Sequence, residues 1–139
     1  MRKKFLPFLL AVLLTLCLVS PKSAEASDSV VITPQWTYLF VVTNSLSINA
    51  SGLASMSSHM ECTDDITKVV MNNYLQRYVD GSWTTFNSWS QTTYDSGAFW
   101  SKTYYVYEGY NYRLRTYFYA YQGSTPVEST YLTTAIQSY

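Results

Sequence analysis

The chain has 139 residues, a formal net charge of zero, and 13% charged side chains against 17% aromatic ones. A chain of this length corresponds to a single domain. So light a charge argues against nucleic acid as a partner, because binding to phosphate backbones relies on clustered Lys and Arg.

The first residues have the pattern of a secretory signal peptide. A basic start, Arg2–Lys4, precedes an apolar run over 5–19 and the small residues of Ala24-Glu25-Ala26. We therefore predict that residues 1–26 are a signal peptide and that the mature protein is secreted, either free outside the cell or associated with the cell wall. The apolar run is too short for a membrane span and no second run follows, so no span is expected after cleavage.

Removing this leader changes the charge and the cysteine count. The remaining chain keeps five basic and eight acidic side chains, a net charge of −3. Cys62 is then the only cysteine, which excludes an intramolecular disulfide. We predict a buried thiol, since free Cys is among the most buried residue types, with intermolecular pairing as the alternative.

Residues 27–34 are predicted to be a short arm, and residues 35–139 one β-rich domain with alternating apolar side chains. Turn residues, beginning with Asn44-Ser45, divide it into eight predicted strands: 36–43, 46–49, 53–62, 67–79, 82–92, 99–107, 110–121 and 127–136. Asp80-Gly81 predicts a type I′ hairpin turn, because both residues tolerate positive φ. Seven or eight short strands at this spacing predict an all-β fold, either a sandwich or a small barrel. The fourth and seventh predicted strands are long and alternate cleanly, which favours an antiparallel β-sandwich of the immunoglobulin-like kind.

The seventh predicted strand contains most of an unusual run, with five tyrosines and two arginines within residues 109–121. Successive side chains of a strand point to opposite faces. Because unpaired Arg is almost never fully buried, the face with Arg113 and Arg115 is predicted to point outward, and the face with Leu114 and Phe118 toward the core.

The fourth predicted strand divides in the same way, with Val69, Met71 and Leu75 inward and Tyr74 and Tyr78 outward. If the fourth and seventh strands are neighbours, their outward residues form one surface. The predicted binding residues are Tyr74, Tyr78, Arg113, Arg115, Tyr117, Tyr119 and Tyr121. The alternative is that these tyrosines only stabilise the sheet through cross-strand pairing.

The tryptophans of the fifth predicted strand either fill the core or cover the outside of a sheet. Trp83 and Trp89 are both odd-numbered and are predicted to share one face of the fifth strand, with Phe86 on the other face. Trp and Tyr stack on the flat C–H faces of sugars, so an exposed aromatic row predicts contact with a carbohydrate or a protein.

The stretch Glu108–Leu114 resembles the start of the F strand in fibronectin type III and related sandwiches. In those folds a "tyrosine corner" hydroxyl bonds back to the preceding backbone. The resemblance implies this structural role for Tyr112. The antibody-type Cys…Trp…Cys pattern is absent.

The chain also resembles a family of small uncharacterised secreted proteins of Gram-positive bacteria, a domain of unknown function. The resemblance rests on the leader and on four stretches: LSINASGLA (46–54), LQRYVDGSWTTFNSWS (75–90), YYVYEGYNYRLR (104–115) and VESTY (127–131). It implies an extracellular location and a β fold, and it transfers no site. The tyrosine-rich seventh strand departs from the Val and Thr expected there.

Catalytic and metal chemistry have few candidates. His59 is the only histidine, and on one strand it points away from Cys62, three residues later. One His and one Cys do not supply a zinc site. Calcium could use the oxygens of Glu61, Asp64 and Asp65, but their spacing matches no EF-hand and a solvated turn is favoured.

A glycosidase pair would have to come from Asp95, Glu108 and Glu128, yet a small sandwich offers little cleft for a polymer. The sequence therefore predicts a non-enzymatic binding module without cofactor or metal, whose Tyr/Arg face contacts cell-wall polysaccharide or a surface protein. The alternative is a structural or self-associating surface protein, joined through an edge strand or Cys62. A small hydrolase would require Glu108, His59 and an acidic loop at one pocket.

Overall fold

The computed structural model describes residues 35–139, which form two antiparallel sheets packed face to face. The predicted signal peptide (1–26) and arm (27–34) lie outside the described residues. The strands are β1 (Leu39–Ile48), β2 (Leu53–Cys62), β3 (Lys68–Val79), β4 (Ser82–Thr93), β5 (Gly97–Tyr105), β6 (Asn111–Gln122), β7 (Thr125–Thr133) and β8 (Gln137–Ser138). The predicted all-β sandwich is confirmed.

The strand order is that of an immunoglobulin-like sandwich. The smaller sheet has the order β1-β2-β5, and the larger has the order β4-β3-β6-β7, with the short β8 also paired to β6. Strands β3 and β6 correspond to the fourth and seventh predicted strands, and they pair directly from Lys68↔Tyr121 to Arg77↔Tyr112. The adjacency on which the predicted surface depends is thus present.

The inward row of β6 forms the centre of the core. Its members alternate along the strand and are fully buried: Tyr112, Leu114, Thr116, Phe118 and Ala120. The inward row of β2 packs opposite and is also buried: Ala54, Met56, Ser58, Met60 and Cys62. The predicted direction of Leu114 and Phe118 is confirmed.

Three buried polar side chains join the two sheets inside this core. Ser58 of β2 donates its hydroxyl to Oδ1 of Asn73 on β3 at 2.7 Å. Thr116 of β6 donates to the same oxygen at 2.8 Å. Because hydrogen bonds in a low-dielectric interior have strict geometry, these bonds help to set the alignment of one sheet on the other.

The predicted break at Asn44-Ser45 is wrong, because β1 runs through it as one strand. The Asn44 side chain is half-buried, and its amide donates to the backbone carbonyl oxygens of Leu114 (3.4 Å) and Leu132 (3.2 Å). An Asn that usually marks a turn here bridges from one sheet to the other. The eighth predicted strand, 127–136, is observed as β7, which ends at Thr133, and the short β8 follows beyond the predicted end.

A β-bulge in β4 overturns the prediction for the tryptophans. Against β3, Thr85 pairs with Gln76 and Asn87 pairs with the next residue, Leu75, so Phe86 is the extra residue. One inserted residue reverses the alternation beyond it. Trp83 therefore lies on the outer side, against Tyr78, whereas Trp89 turns inward.

The inward position of Trp89 is shown by its contacts with the other sheet. Its ring centroid lies 5.7 Å from that of Trp100 and 5.7 Å from that of Tyr104, both on β5. Phe86 also faces this side, 6.1 Å from the buried Tyr112. The turn that precedes the bulge is as predicted, with Asp80 and Gly81 at φ 50° and 80°.

Tyr112 forms the tyrosine corner that the resemblance implied. Its hydroxyl donates to the carbonyl oxygen of Tyr107 at 2.8 Å and accepts from the Tyr107 N–H at 3.0 Å. Burial raises the pKa of Tyr112, so the hydroxyl stays protonated and able to donate. This pair of bonds holds the connection between β5 and β6.

Glu128 of β7 holds the segment that leads into β1. Its carboxylate accepts hydrogen bonds from the backbone N–H groups of Thr37 (3.0 Å), Tyr38 (2.7 Å) and Leu39 (2.9 Å). Burial raises the pKa of Glu128, but the three donated hydrogen bonds outweigh it and leave the pKa below its ordinary value. The carboxylate therefore stays ionised and connects β7, an edge strand of the larger sheet, to the segment that leads into β1, an edge strand of the smaller sheet.

Replacing Tyr112 with Phe is expected to lower the free energy of unfolding by about 1–2 kcal/mol, because it removes two hydrogen bonds but leaves the ring in the core. Denaturant unfolding measures the change. Tyr110→Phe is the matched control, since the Tyr110 hydroxyl has no hydrogen-bond partner among residues 35–139 and its removal should alter stability by less than about 0.5 kcal/mol. Equal losses in both variants would contradict the assigned role of Tyr112.

The free energy of unfolding should fall at low pH, in part because Glu128 becomes protonated. A carboxyl whose pKa is lowered in the folded state stabilises the fold fully above its unfolded pKa, about 4.3, and loses that contribution as the pH falls through the folded pKa. Unfolding free energies measured between pH 7 and pH 2 should therefore fall less steeply in Glu128→Gln than in the unmodified protein. Glu108→Gln removes an exposed charge without removing such bonds, and parallel curves for the two variants would refute the assignment.

Candidate functional site: the outer face of the larger sheet

The solvent-facing side of β4-β3-β6-β7, called the outer face below, gathers all seven predicted binding residues. The pairing of β6 with β3 places Arg115 opposite Tyr74, and Tyr121 opposite Lys68. The pairing of β6 with β7 places Tyr131 opposite Tyr117. Tyr74, Tyr78, Arg113, Arg115, Tyr117, Tyr119 and Tyr121 therefore lie on one continuous surface.

The aromatic rings of the outer face contact one another across the strands. Tyr74 meets Tyr117 edge-on, with ring centroids 5.8 Å apart at 90°. Tyr117 in turn lies 5.6 Å from Tyr131 at 37°. Tyr78 and Trp83 form a further pair at 5.2 Å. Such pairs hold the rings in defined positions, since each restricts the rotation of its neighbour.

Arg113 is held on the outer face by two contacts. Its guanidinium carbon lies 4.2 Å from the ring centroid of Trp83, and its Nε donates to Oε1 of Gln76 at 2.8 Å. Burial lowers the pKa of Arg113, and the nearby charge of Arg115 lowers it further. Arg stays protonated near neutral pH regardless, so two like charges stand close together on this surface.

Arg115 is held in a similar way one step along β6. Its Nε donates to the hydroxyl of Thr133 at 3.1 Å, and its guanidinium carbon lies 5.3 Å from the centroid of Tyr131. At the far end of the strand the Lys68 ammonium lies 3.9 Å from the ring centroid of Tyr121. Each cation of the outer face is thus placed over an aromatic ring.

A hollow of about 280 Å³ opens at the centre of the outer face. It is lined by Tyr74, Gln76, Thr85, Arg115, Tyr117 and Tyr119. Aromatic ring surfaces, hydroxyl groups, an amide and a cation surround this space. Such a lining suits a ligand that combines flat C–H surfaces with polar substituents.

Exposure differs among the aromatic residues of the outer face. Tyr78 is 42% exposed and Tyr131 is 56% exposed, whereas Tyr74, Tyr117, Tyr119 and Tyr121 are half-buried. Tyr131 and Trp83 also belong to the outer face, although neither is among its seven predicted residues. No inward or outward direction is predicted for the side chains of the last strand, which include Tyr131. For Trp83, the bulge at Phe86 breaks the odd–even alternation on which a prediction of its direction would depend.

A second aromatic cluster surrounds Arg77 at the end of the sandwich near the β5–β6 connection. The Arg77 guanidinium carbon lies 4.9 Å from the centroid of Phe86 and 4.5 Å from that of Tyr110. Phe86 also contacts Tyr104 and Tyr107, at 5.8 Å and 5.9 Å. This cluster closes the core at one end of the fold.

His59 and Cys62 lie on opposite sides of β2, as their spacing predicts. His59 Nε2 lies 3.2 Å from a carboxylate oxygen of Glu61 on the outer side of the smaller sheet. Cys62 is buried, and burial, with a smaller effect of the Glu128 charge, raises its pKa to about 11. The thiol is therefore protonated near neutral pH and a poor nucleophile.

The nominated carboxylates do not meet at one place. Asp95 shares a surface hollow with Cys62, while Glu108 belongs to the β5–β6 connection at the other end of the nine-residue strand β5. Glu128 is occupied by backbone amides of 37–39. Within residues 35–139, no three His, Cys, Asp or Glu side chains cluster as metal ligands would.

No family model, no curated protein and no solved structure matches the chain. Across the described part of the chain, no helix is long and apolar enough to cross a membrane.

Proposed function

We propose that this protein is a secreted, non-enzymatic binding module of the Gram-positive cell envelope, and that its outer face binds a cell-envelope glycan. One observation carries the proposal: aromatic rings and stacked cations form a continuous surface across all four main strands of the larger sheet. The leader pattern supports secretion, and the resemblance to small secreted proteins of Gram-positive bacteria supports the envelope as the location.

The chemistry of the outer face favours sugars. Sugar rings present flat C–H faces that stack on Tyr and Trp, and their hydroxyls exchange hydrogen bonds with amide, hydroxyl and guanidinium groups. Tyr117 is held by Tyr74 on one side and Tyr131 on the other, so its position is set before a ligand arrives. Rings that are already ordered lose little conformational entropy on binding.

The smaller sheet differs and supplies an internal comparison. Its outer side carries short hydroxyl side chains in register, including Ser45 opposite Ser57, with a 2.7 Å contact between their oxygens. Phe99 is an exposed aromatic residue on that side, with 61% of its surface accessible. Loss of Phe99 should leave a binding site on the larger sheet untouched.

Binding can be tested by co-sedimentation of the purified protein with isolated cell-wall material. The double variant Tyr74→Ala/Tyr117→Ala should lose tenfold or more in affinity. The scale is taken from the stacking of nucleic-acid bases on aromatic side chains, which contributes roughly 1–3 kcal/mol per ring. Phe99→Ala is the matched control and should bind as the unmodified protein does. If the unmodified protein stays in the supernatant, or if Phe99→Ala weakens binding equally, the proposal is wrong.

The second function that we propose to test is a structural or self-associating surface protein without a small ligand. The observation in its favour is the open edge of β5, where residues 101–105 are all exposed. Self-association through a disulfide between two copies of Cys62 is disfavoured, because Cys62 is buried.

Light scattering and non-reducing gels distinguish the two functions. We expect a monomer at all protein concentrations and no cross-linked band, because a buried thiol with a raised pKa forms little thiolate. A dimer that breaks up on substitution within residues 101–105 would favour the structural function. A band at twice the monomer mass that is lost in Cys62→Ser would show that the thiol is accessible.

A further inference from the structure

Charge is distributed unevenly between the two sheets. The strands of the larger sheet carry four cations and one acidic residue, Glu128. Lys68, Arg113 and Arg115 lie on the outer face, whereas Arg77 lies in the inward row, opposite the buried Tyr112. The Glu128 carboxylate bonds to backbone amides of 37–39, so none of these strands presents a carboxylate on the outer face. Within residues 35–139 as a whole, acidic residues outnumber basic ones, so the outer face is a cationic surface on an acidic domain.

The cations of the outer face lack the partners that usually neutralise them. Among residues 35–139, the one short contact between a basic side chain and a carboxylate joins His59 to Glu61 on the smaller sheet. Arg113 and Arg115 each use Nε to donate to a neutral side chain. Within the described residues, their terminal guanidinium nitrogens donate to no protein acceptor. These nitrogens are the ones that bind phosphate or carboxylate oxygens in pairs.

The spacing of these cations follows the strand. Arg113 and Arg115 are two residues apart on one face, which separates their backbone positions by about 7 Å. Lys68 lies across from Tyr121, so the cationic row extends along β6 for about 27 Å. Rings of Tyr117 and Tyr119 lie between its two ends. An elongated ligand with negative groups at intervals fits this row better than a single small anion does.

We propose that the ligand of the outer face is an anionic envelope polymer, a chain of sugars or polyols with phosphate or carboxylate groups, and that Arg113 and Arg115 bind those groups. This inference rests on the proposed function and specifies the class of its ligand. The aromatic rings contact the C–H surfaces of the chain between its charges. Each guanidinium, stacked on its ring, presents its free N–H edge to an anionic oxygen.

The test uses purified protein, residues 27–139, and four probes measured by isothermal titration calorimetry. Poly(glycerol phosphate) presents phosphate, polygalacturonate presents carboxylate, dextran is neutral, and polyglutamate presents carboxylates on a peptide. We expect one or both of the first two to bind, with an affinity that falls as NaCl rises because salt screens the charges. Whichever of the two binds tighter identifies the anionic group.

Variants assign the binding to the two arginines. Arg113→Gln/Arg115→Gln should weaken binding by roughly tenfold or more per arginine, since a hydrogen bond to a charged group contributes about that factor. Arg113→Lys/Arg115→Lys should recover part of the loss, because Lys keeps the charge but not the planar pair of donors. Lys102→Gln is the matched control, as it removes an exposed cation from the smaller sheet and should change nothing. Thermal unfolding of each variant checks that the fold is intact.

Several outcomes would overturn the inference. Equal binding of dextran, a salt-independent affinity, or an equal loss in Lys102→Gln would each exclude specific recognition of anions by these arginines. Tighter binding of polyglutamate, or of a single-stranded oligodeoxynucleotide, would point to a protein or nucleic-acid partner instead. If cell-wall binding is lost in Tyr74→Ala/Tyr117→Ala but survives both salt and the arginine variants, the proposed function stands and only the anionic ligand fails.

Discussion

Strand β6 pairs with β3, β7 and β8, and the alternation of its side chains determines both the core and the outer face. One row is fully buried, from Tyr112 to Ala120, and the other presents arginines and tyrosines to solvent. A shift of one residue in its register would exchange the two rows, which would bury two charges and expose Leu114 and Phe118. The free energy that this exchange would require stabilises β6 in its observed register.

Aromatic stacking takes the place of ion pairing in this protein. The chain has few charges, and within residues 35–139 its arginines lie over the rings of Trp83, Phe86, Tyr110 and Tyr131. A ring restrains a guanidinium without neutralising it, because the attraction comes from the ring quadrupole and the N–H edge stays free. The surface that results is ordered and still positively charged, which is the property that the proposed ligand would use.

Two local features overrode the simple sequence pattern. Asn44 is predicted from its residue type to lie in a turn, but its amide donates to carbonyl oxygens on β6 and β7, and β1 continues through it. The bulge at Phe86 placed Trp83 and Trp89 on opposite sides of β4. Both outcomes depend on which strands lie alongside, so neither could be derived from the residues of one strand alone.

The sequence by itself determined the β class, most strand positions, the Asp80-Gly81 hairpin and the inward and outward rows of β3 and β6. These follow from alternation and turn chemistry, which act over a few residues. Only the tertiary structure decided that β3 lies beside β6, that Tyr131 and Trp83 join the outer face, and that Glu128 binds backbone amides about 90 residues away. Such contacts link distant parts of the chain, and their free energy depends on how the two sheets pack together rather than on any local pattern.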